Sequence, residues 1–416
     1  MGCRKWRADF PEIVERNIAF LDSAASTLKP IQVLDAMRDF ASRSYANVHR
    51  GVYRISLEAS RAYEEAHEVV AKFISANSWE EIVFTKNTTE AIQLVASLLL
   101  SNGYIGRGDE IIASKAEHHS NLLPWARAAE AAGAELKLVP VDREGVPRWE
   151  LLSEMISKRT KVIAIGHASN VTGYINDVRR VAEIAHEEGA LVVVDGAQSV
   201  PHIRTVVREL GADFLAFSGH KMLGPTGIGV LWGRGELLDK LEPFLGGGGT
   251  VSRVSWGNGK VKIGWSRSPW KFEAGTPPII EAVGLTEAIR YLWRVGMSWV
   301  EEHERELNSY AVKKLSEVDG LRFIGPRDLS RKLGIIAFNV GKIDPSMVGL
   351  WLDQYGVAVR TGLHCAHILH DELGESHGSV RASFYLYNCE EDIDRLVLAL
   401  HELTRGGPTA ATSSPL

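Results

Sequence analysis

Short apolar runs alternate with amphipathic stretches between residues 82 and 232. Seven of the runs have the length and composition of buried strands, namely 82–85, 110–114, 136–141, 162–166, 191–195, 214–217 and 229–232. Several stretches between them have helical spacing; residues 177–188, for example, carry apolar side chains three and four positions apart and end before Gly189. Alternation of strand and helix predicts an α/β fold with a mainly parallel seven-stranded sheet covered by helices on both faces.

The pattern changes after residue 235. A loop rich in glycine and tryptophan is predicted over 246–275, two long helical patterns follow between 279 and 318, and strands and helices then mix until residue 404. We therefore predict a large domain over residues 56–290 and a smaller α+β domain over 291–404.

The two ends of the chain are assigned separately. Residues 1–55 are too few to fold alone, so we expect this segment to pack on the small domain or on a partner subunit. Residues 405–416, which end in small and polar side chains, are expected to form a disordered tail.

Composition narrows the class of protein. The 416 residues include 47 basic and 52 acidic side chains, a net charge of −5, which argues against nucleic acid as a partner. No signal peptide and no membrane span is found. The three cysteines make no disulfide framework, which favours a reducing cytoplasm. Cys3 is expected in a mobile terminus, and neither it nor Cys389 is given a role.

Polar residues that follow predicted strands are candidates for a site, because ligands of open α/β sheets lie beyond the carboxyl ends of the strands. Asp195 ends one buried strand, and Lys221 follows another in the sequence Ser-Gly-His-Lys. A lysine in a loop of small residues can be desolvated, which lowers its pKa and favours the neutral amine that forms a Schiff base. The alternatives are an aspartate that caps a turn and a solvated surface lysine.

Two further strand ends carry candidate chemistry. Residues 87–90, Asn-Thr-Thr-Glu, lie between a strand and a helix, where free N–H groups and hydroxyls could bind a phosphate; an ordinary threonine cap is the alternative. His118 follows the strand 110–114 and could stack on a planar cofactor, transfer a proton or simply cap a helix.

In this order the motifs resemble those of fold-type I pyridoxal-phosphate enzymes of the class V aminotransferase family. Residues 360–366, Arg-Thr-Gly-Leu-His-Cys-Ala, with Val-Arg-Ala-Ser at 380–383, resemble the signature of group II cysteine desulfurases, the SufS and CsdA type. The resemblance extends from residue 21 to about residue 400. It implies pyridoxal 5′-phosphate as cofactor, a small domain built from both ends of the chain, and conversion of L-cysteine to L-alanine with the sulfur left as a persulfide on Cys365.

The resemblance also implies roles toward the cofactor. Lys221 would bond to it covalently and later move the substrate's α-proton, Asp195 would pair with the pyridinium nitrogen, and Gln198 would bond the ring hydroxyl. His118 would stack over the ring. The residues implied for the phosphate are Thr88, Thr89, Ser218, His220 and, from the other subunit, Thr276. A complete site would then require a homodimer.

For the substrate, the resemblance implies that Arg381 binds the carboxylate and that Asn170 lies beside it. Arg360 and His49 would line the entrance of the site, and Ala25 would also belong to the substrate-binding residues. Arg360 and His364 are expected to supply positive charge that favours the thiolate of Cys365. An inert buried thiol is the alternative for this cysteine, and it suits a polar loop poorly.

The loop around Cys365 departs from the family. Leu363 stands where group II members have a second histidine, and four histidines cluster nearby, at positions 364, 367, 370 and 377. A Cys/His group at this spacing could bind zinc or another soft metal. We expect instead a solvated histidine-rich loop and no metal, because four ligands seldom converge in a short loop.

We therefore expect a cysteine desulfurase that supplies sulfur for iron–sulfur cluster assembly. The acceptor would resemble SufE or SufU, or be a SufBCD-type scaffold. A selenocysteine lyase could use the same site without Cys365, and another class V enzyme would need no thiol in that loop. A sulfur-transfer scaffold with a decayed site is the non-enzyme alternative, against which Lys221, Asp195 and His118 are all present.

Overall fold

The structure of the chain is a computed structural model that describes residues 2–406. In chain order the strands are β1 Ala19–Phe20, β2 Ile82–Thr85, β3 Glu110–Ser114, β4 Glu135–Val139, β5 Thr160–Gly166, β6 Leu191–Asp195, β7 Phe214–Ser218, β8 Gly229–Gly233, β9 Val251–Gly257, β10 Lys260–Trp265, β11 Leu321–Ile324, β12 Ile335–Val340, β13 Val357–Ala358, β14 Arg360–Gly362 and β15 Ser379–Ser383. Apart from residues 405 and 406, which end the last helix, the tail predicted over 405–416 lies outside the described residues.

The α-helices are numbered in the same way. They are α1 Gly2–Arg7, α2 Pro11–Arg16, α3 Ile31–Arg43, α4 Arg54–Phe73, α5 Thr88–Ser101, α6 Leu123–Ala132, α7 Leu152–Met155, α8 Val178–Glu187, α9 Val207–Leu210, α10 Gly235–Lys240, α11 Ile279–Val295, α12 Met297–Leu315, α13 Pro345–Gln354, α14 His367–Glu372 and α15 Glu390–Gly406. Short 3₁₀ turns cover Trp79–Glu81, His119–Asn121, Trp149–Leu151, Gly219–Lys221 and Trp270–Phe272.

The seven strands predicted from the apolar runs form one sheet, in the order β2-β8-β7-β6-β5-β3-β4. Only β8 runs against its neighbours, so the prediction of a mainly parallel α/β sheet is confirmed. Successive residues face opposite sides: Val192 and Val194 join the core under α4, α8 and α11, whereas Val193 joins the core under α5 and α6. Helices on both faces explain why these strands are continuously apolar.

The direction of the strands positions the site. Because β2, β3, β5, β6 and β7 are parallel, their carboxyl ends meet at one edge of the sheet. Helix α5 starts at this edge, where the Asn87 side chain accepts a hydrogen bond from the Glu90 N–H. Gly229 allows the backbone of β8 to approach this turn closely, because a Cβ atom at position 229 would lie only 2.4 Å from the Asn87 Cα.

The smaller domain contains a four-stranded antiparallel sheet, β11-β12-β15-β14, which packs on α12, α13 and α15. Strand β1 pairs with β13, so the start of the chain contributes to this domain. Helix α3 instead packs along α11. The predicted domain boundary at residue 290 falls within α11, whose continuous helix joins the two domains.

The loop predicted over 246–275 contains a β-hairpin, so that prediction is wrong for its central part. Strands β9 and β10 pair antiparallel and are joined by Asn258 and Gly259. Both turn residues have positive φ, 52° and 72°. An Asn-Gly pair favours this two-residue turn because its twist matches that of the flanking strands, and the signal was present in the sequence.

The prediction that the cysteines form no disulfide is also wrong. Cys3 and Cys389 are joined by a disulfide across 386 positions of sequence. An ion pair also joins the two ends of the chain near this disulfide: Arg7 Nη1 lies 2.6 Å from the buried Asp392 carboxylate. Cys3 is therefore held in helix α1 instead of lying in a mobile end. Spacing along the chain could not reveal the pairing, because only the fold brings the two ends together.

Replacing Cys3 by serine is expected to lower the free energy of unfolding by about 2–5 kcal/mol, because a disulfide that closes a long loop restricts the unfolded chain. Thermal unfolding of the variant and the wild type, with and without reductant, measures this loss. Reductant should lower the midpoint of the wild type alone. Three reactive thiols in the unreduced wild type would contradict the pairing.

Candidate active site

The carboxyl ends of the parallel strands and the small domain enclose a cavity of about 470 Å³. Thirteen of the fifteen residues predicted for the site line it: Ala25, Thr88, Thr89, His118, Asn170, Asp195, Gln198, Ser218, His220, Lys221, Arg360, Cys365 and Arg381. Most of them lie at or after the carboxyl ends of the parallel strands, which meet at one edge of the sheet. The N-terminal segment and the small domain contribute Ala25, Arg360, Cys365 and Arg381.

Lys221 lies in the 3₁₀ turn after β7, and Asp195 ends the neighbouring strand β6. Burial lowers the pKa of Lys221 to about 8, while the Asp195 carboxylate opposes that shift and Arg381 adds to it. Burial raises the pKa of Asp195. The Ala197 N–H, which donates a hydrogen bond to Oδ1 at 2.9 Å, acts in the opposite direction and lowers it. A substantial fraction of the amine is therefore neutral near physiological pH, the form that attacks a carbonyl carbon.

The start of α5 forms a corner of hydroxyl groups. The Thr88 N–H donates to Ser218 Oγ at 2.8 Å, and the two hydroxyl oxygens of these residues lie 2.6 Å apart. Burial, together with nearby Lys221 and Lys29, lowers the pKa of His220 to about 4, so its ring is neutral at physiological pH. Neutral donors at a helix N-terminus suit the oxygens of a phosphate group.

Two side chains fit the ring of a planar cofactor. Gln198 donates from Nε2 to the Ala24 carbonyl at 2.8 Å, and its buried Oε1 has no partner among residues 2–406. His118 accepts the Ser120 N–H at Nδ1, 3.0 Å away, so Nε2 carries the proton of the neutral ring. Burial, then Lys221, lowers the pKa of His118 to about 3.

Cys365 lies on the loop between β14 and α14, is exposed and is the cysteine outside the disulfide. His364 and Cys365 both adopt left-handed backbone conformations, with φ of 48° and 56°. Two contacts from the large domain hold them: the His119 N–H donates to the Cys365 carbonyl at 2.8 Å, and Asn170 Nδ2 donates to the His364 carbonyl at 2.7 Å. The backbone of Cys365, which the small domain carries, is thus also fixed by the large domain.

The charge around Cys365 differs from the prediction. Burial, followed by repulsion from Arg381, lowers the pKa of His364 to about 2, so this ring supplies no positive charge. Arg360 Nη1 lies 3.3 Å from an Asp22 oxygen, which compensates its charge. The cations that interact with the Cys365 sulfur include Lys221 and Arg381. The expectation for His364 is therefore wrong, since the sequence did not show that the ring is buried.

Arg381 is buried and already has two partners. Its Nη1 donates to the Asn170 carbonyl at 2.9 Å, and its Nη2 donates to Asp22 Oδ1 at 3.2 Å. Its Nε is buried without a partner among residues 2–406, so it can still donate to a carboxylate. Asp22 bridges both arginines and was missed as a site residue. The signal was the carboxylate that follows the apolar Leu21 near the start of the chain.

The prediction of a solvated histidine-rich loop is wrong for two of its four histidines, whereas His367 and His377 are exposed as predicted. His364 and His370 are buried, and their Nε2 atoms lie 3.1 and 3.2 Å from the hydroxyl oxygen of Ser379. His367 stacks on His119 with ring centroids 4.6 Å apart. Across residues 2–406, no three or more His, Cys, Asp or Glu side chains are arranged to hold a metal ion.

Two predicted residues lie outside the cavity. The His49 ring packs edge-on against Trp270, with centroids 4.6 Å apart. Thr276 lines a separate groove of about 490 Å³. One copy of the chain therefore does not bring Thr276 to the hydroxyl corner, and its contribution from a second subunit stays a prediction.

Residues 19–396 match the aminotransferase class-V family, to which the chain therefore belongs. Among curated proteins, a probable cysteine desulfurase of Aeropyrum pernix is 56% identical over 97% of this chain and 98% of its own length. A probable cysteine desulfurase of Halalkalibacterium halodurans is 46% identical over 92% of this chain and 93% of its own.

Solved structures that are similar to this chain are cysteine desulfurases as well. The apo structure of a cysteine desulfurase from Thermococcus onnurineus has a TM-score of 0.91 at 42% identity and covers 97% of this chain and 98% of its own. The cysteine desulfurase CsdA from Escherichia coli has a TM-score of 0.89 at 39% identity and covers 97% of this chain and 99% of its own. The predicted resemblance to group II cysteine desulfurases is confirmed, and the chain is an enzyme that depends on pyridoxal 5′-phosphate.

The cavity fits that cofactor. The unpaired Oε1 of Gln198 can accept a hydrogen bond from the ring hydroxyl, and Asp195 can hold the ring nitrogen protonated. The hydroxyl corner at Thr88 and Ser218 offers neutral donors to the phosphate, and Lys221 supplies the amine that binds the aldehyde.

The rate at which the apo-protein recombines with pyridoxal 5′-phosphate is expected to rise with pH through about 8, because the neutral amine of Lys221 is the reactive form. In Asp195→Asn the carboxylate that favours the charged amine is lost, so the midpoint should move to lower pH. Growth of the bound-cofactor absorbance at a series of pH values measures both. Superimposable profiles would contradict the coupling between the two side chains.

Proposed function

We propose that this enzyme converts L-cysteine to L-alanine and holds the released sulfur as a persulfide on Cys365. The observation that carries the proposal is the position of Cys365, exposed on a pinned loop at the cavity that contains Lys221 and Arg381. A thiolate is the protein nucleophile best suited to attack sulfur. The cysteine desulfurases similar to this chain over nearly its whole length support the same activity.

Substrate binding follows from the charges of the small-domain side. Arg381 donates from its free Nε to the substrate carboxylate, while its Nη atoms remain fixed by Asn170 and Asp22. Because these two partners fix the guanidinium plane, little side-chain entropy is lost on binding. The substrate is thereby held between Lys221 and Cys365, which line the same cavity.

When bound, pyridoxal 5′-phosphate supplies the electron sink that stabilises negative charge developed on the substrate carbon atoms. Lys221 removes the proton from the substrate Cα. The Cys365 thiolate then attacks the substrate sulfur: an S–S bond forms, the C–S bond breaks, and its electron pair stays with the substrate Cβ. Cβ takes up a proton, and Lys221 returns a proton to Cα, which gives alanine. Lys221 and Arg381 line the same cavity as the sulfur that carries out this step.

We further propose that the enzyme works in the cytoplasm as a homodimer and delivers sulfur for iron–sulfur cluster assembly to a protein resembling SufE or SufU, or to a SufBCD-type scaffold. No helix within residues 2–406 has the length and apolar character needed to cross a membrane. The need for a reduced Cys365 supports a reducing compartment, although the Cys3–Cys389 disulfide is unusual there. Thr276, remote from the cavity of its own chain, supports the dimer.

Replacing Cys365 by alanine should reduce alanine formation from L-cysteine by about two orders of magnitude or more, because no other thiol lines the cavity within the described residues. Alanine is measured under reducing conditions, with Cys3→Ser as a matched control that keeps its activity. Equal rates in wild type and Cys365→Ala would instead favour a lyase that does not use this thiol, and L-selenocysteine would be tested next. Absence of alanine from the wild type would show that the substrate is wrong.

The dimer has its own test. Replacing Thr276 by valine should weaken pyridoxal 5′-phosphate binding by several-fold, since one hydroxyl donor to the phosphate is lost. Sedimentation of wild type and variant gives the oligomeric state, and absorbance titration of the apo-protein gives the affinity. A fully active monomer would refute the shared site.

A further inference from the structure

The peptide carbonyl immediately before Lys221 is held by the N-terminal segment. The oxygen of His220 accepts the Thr27 N–H at 3.0 Å, the Ser26 hydroxyl at 3.1 Å and the Thr27 hydroxyl at 3.2 Å. Lys29 Nζ donates to the same oxygen at 3.2 Å. The ammonium of Lys29 therefore lies directly behind His220, on the outer side of the cavity wall.

Within residues 2–406 no carboxylate lies at ion-pair distance from the Lys29 ammonium, and the Glu12 carboxylate stabilises its charge only from farther away. The Lys29 Nζ donates to the carbonyls of Thr27 and His220. Burial lowers its pKa to about 8, so the amine is still mostly protonated at neutral pH. A partly buried ammonium without an anion is costly to desolvate, and a group that persists in this state points to an anion supplied from elsewhere.

Apart from Lys221, which follows His220 in the chain, the hydroxyl corner of the cavity has no cation of its own in the part of the chain that the structure describes. The side chains there are the hydroxyls of Thr88, Thr89 and Ser218 and the neutral ring of His220. Arg360 and Arg381, the other cations that line the cavity beside Lys221, both form ion pairs with Asp22. A phosphate in the corner would carry nearly two negative charges, for which hydroxyls and N–H groups alone are weak compensation.

We propose that Lys29 is a positioning residue for the cofactor: its charge, placed behind His220, binds the phosphate of pyridoxal 5′-phosphate electrostatically without touching it. The inference rests on the cofactor dependence of the enzyme and not on its substrate. The electrostatic attraction acts through the protein interior around His220, where it is screened less than at the surface.

The test distinguishes affinity that depends on the phosphate group from affinity that depends on the pyridine ring. Apo-proteins of the wild type and of Lys29→Met are titrated with pyridoxal 5′-phosphate and with pyridoxal, which has the same ring and aldehyde but no phosphate. Lys29→Met should bind pyridoxal 5′-phosphate about tenfold more weakly and pyridoxal with nearly unchanged affinity. An equal loss for both ligands would show that the variant merely displaces the Lys221 turn, and no loss for either would show that the charge does not act. Both results overturn the proposal.

Lys332→Met is a matched control. Burial lowers the pKa of Lys332 to about 8 as well, and its Nζ donates to the Pro326 carbonyl at 2.8 Å, away from the cavity. This variant should change neither affinity. If it weakened pyridoxal 5′-phosphate binding as much as Lys29→Met does, the effect would be a general one of losing a buried lysine, and the proposal would fail.

Two further variants keep the inference testable if Lys29→Met does not fold. Lys29→Gln retains a donor for the His220 carbonyl without the charge and should lose phosphate-dependent affinity, whereas Lys29→Arg retains the charge and should restore most of it. Wild-type affinity in Lys29→Gln would overturn the proposal. These titrations measure binding alone, so an error in the proposed substrate would leave them unaffected, while a wild type that binds no pyridoxal 5′-phosphate would refute the cofactor itself.

Discussion

A lysine amine attacks a carbonyl carbon only after it has lost its proton, and that constraint shapes the structure around Lys221. Burial at the end of β7 favours the neutral amine, while Asp195 on the adjacent strand limits the shift. Both side chains are buried, and the helices that cover the sheet on both faces help to keep water from this edge. The apolar strands, the covering helices and the converging carboxyl ends are therefore requirements of one reactive nitrogen atom.

The second reactive atom, the sulfur of Cys365, is positioned in a different way. Lys221 is fixed by the regular sheet, whereas Cys365 lies on a loop in left-handed backbone that costs free energy to hold. That cost is offset by His119 and Asn170, which bind the two carbonyls of the loop from the large domain. Placement of Cys365, the proposed nucleophile, thus depends on the docking of the small domain, and Arg381, hydrogen-bonded to Asn170 and Asp22, belongs to the same set of contacts.

The sequence predicts features that depend on neighbouring residues better than features that depend on contacts between distant parts of the chain. Periodicity located all seven strands of the large sheet, and the rule that ligands lie beyond strand ends selected Lys221 and Asp195. Side-chain environment was less accessible: His364 was expected to be charged, but tertiary packing buries it. The Cys3–Cys389 disulfide lies beyond any local pattern. The hairpin at Asn258 could have been predicted, because its turn signal is local.

The distribution of charge explains how one cavity can hold two anionic groups in different orientations. On the small-domain side two arginines share one aspartate, which leaves net positive charge for a substrate carboxylate. On the opposite side the donors lining the wall are neutral, and the nearest additional cation, Lys29, lies behind it. A carboxylate would therefore form direct ionic hydrogen bonds and leave again with the product, whereas a phosphate would be bound by neutral donors together with the charge proposed for Lys29. The cavity thus separates reversible binding of the substrate from lasting retention of the cofactor.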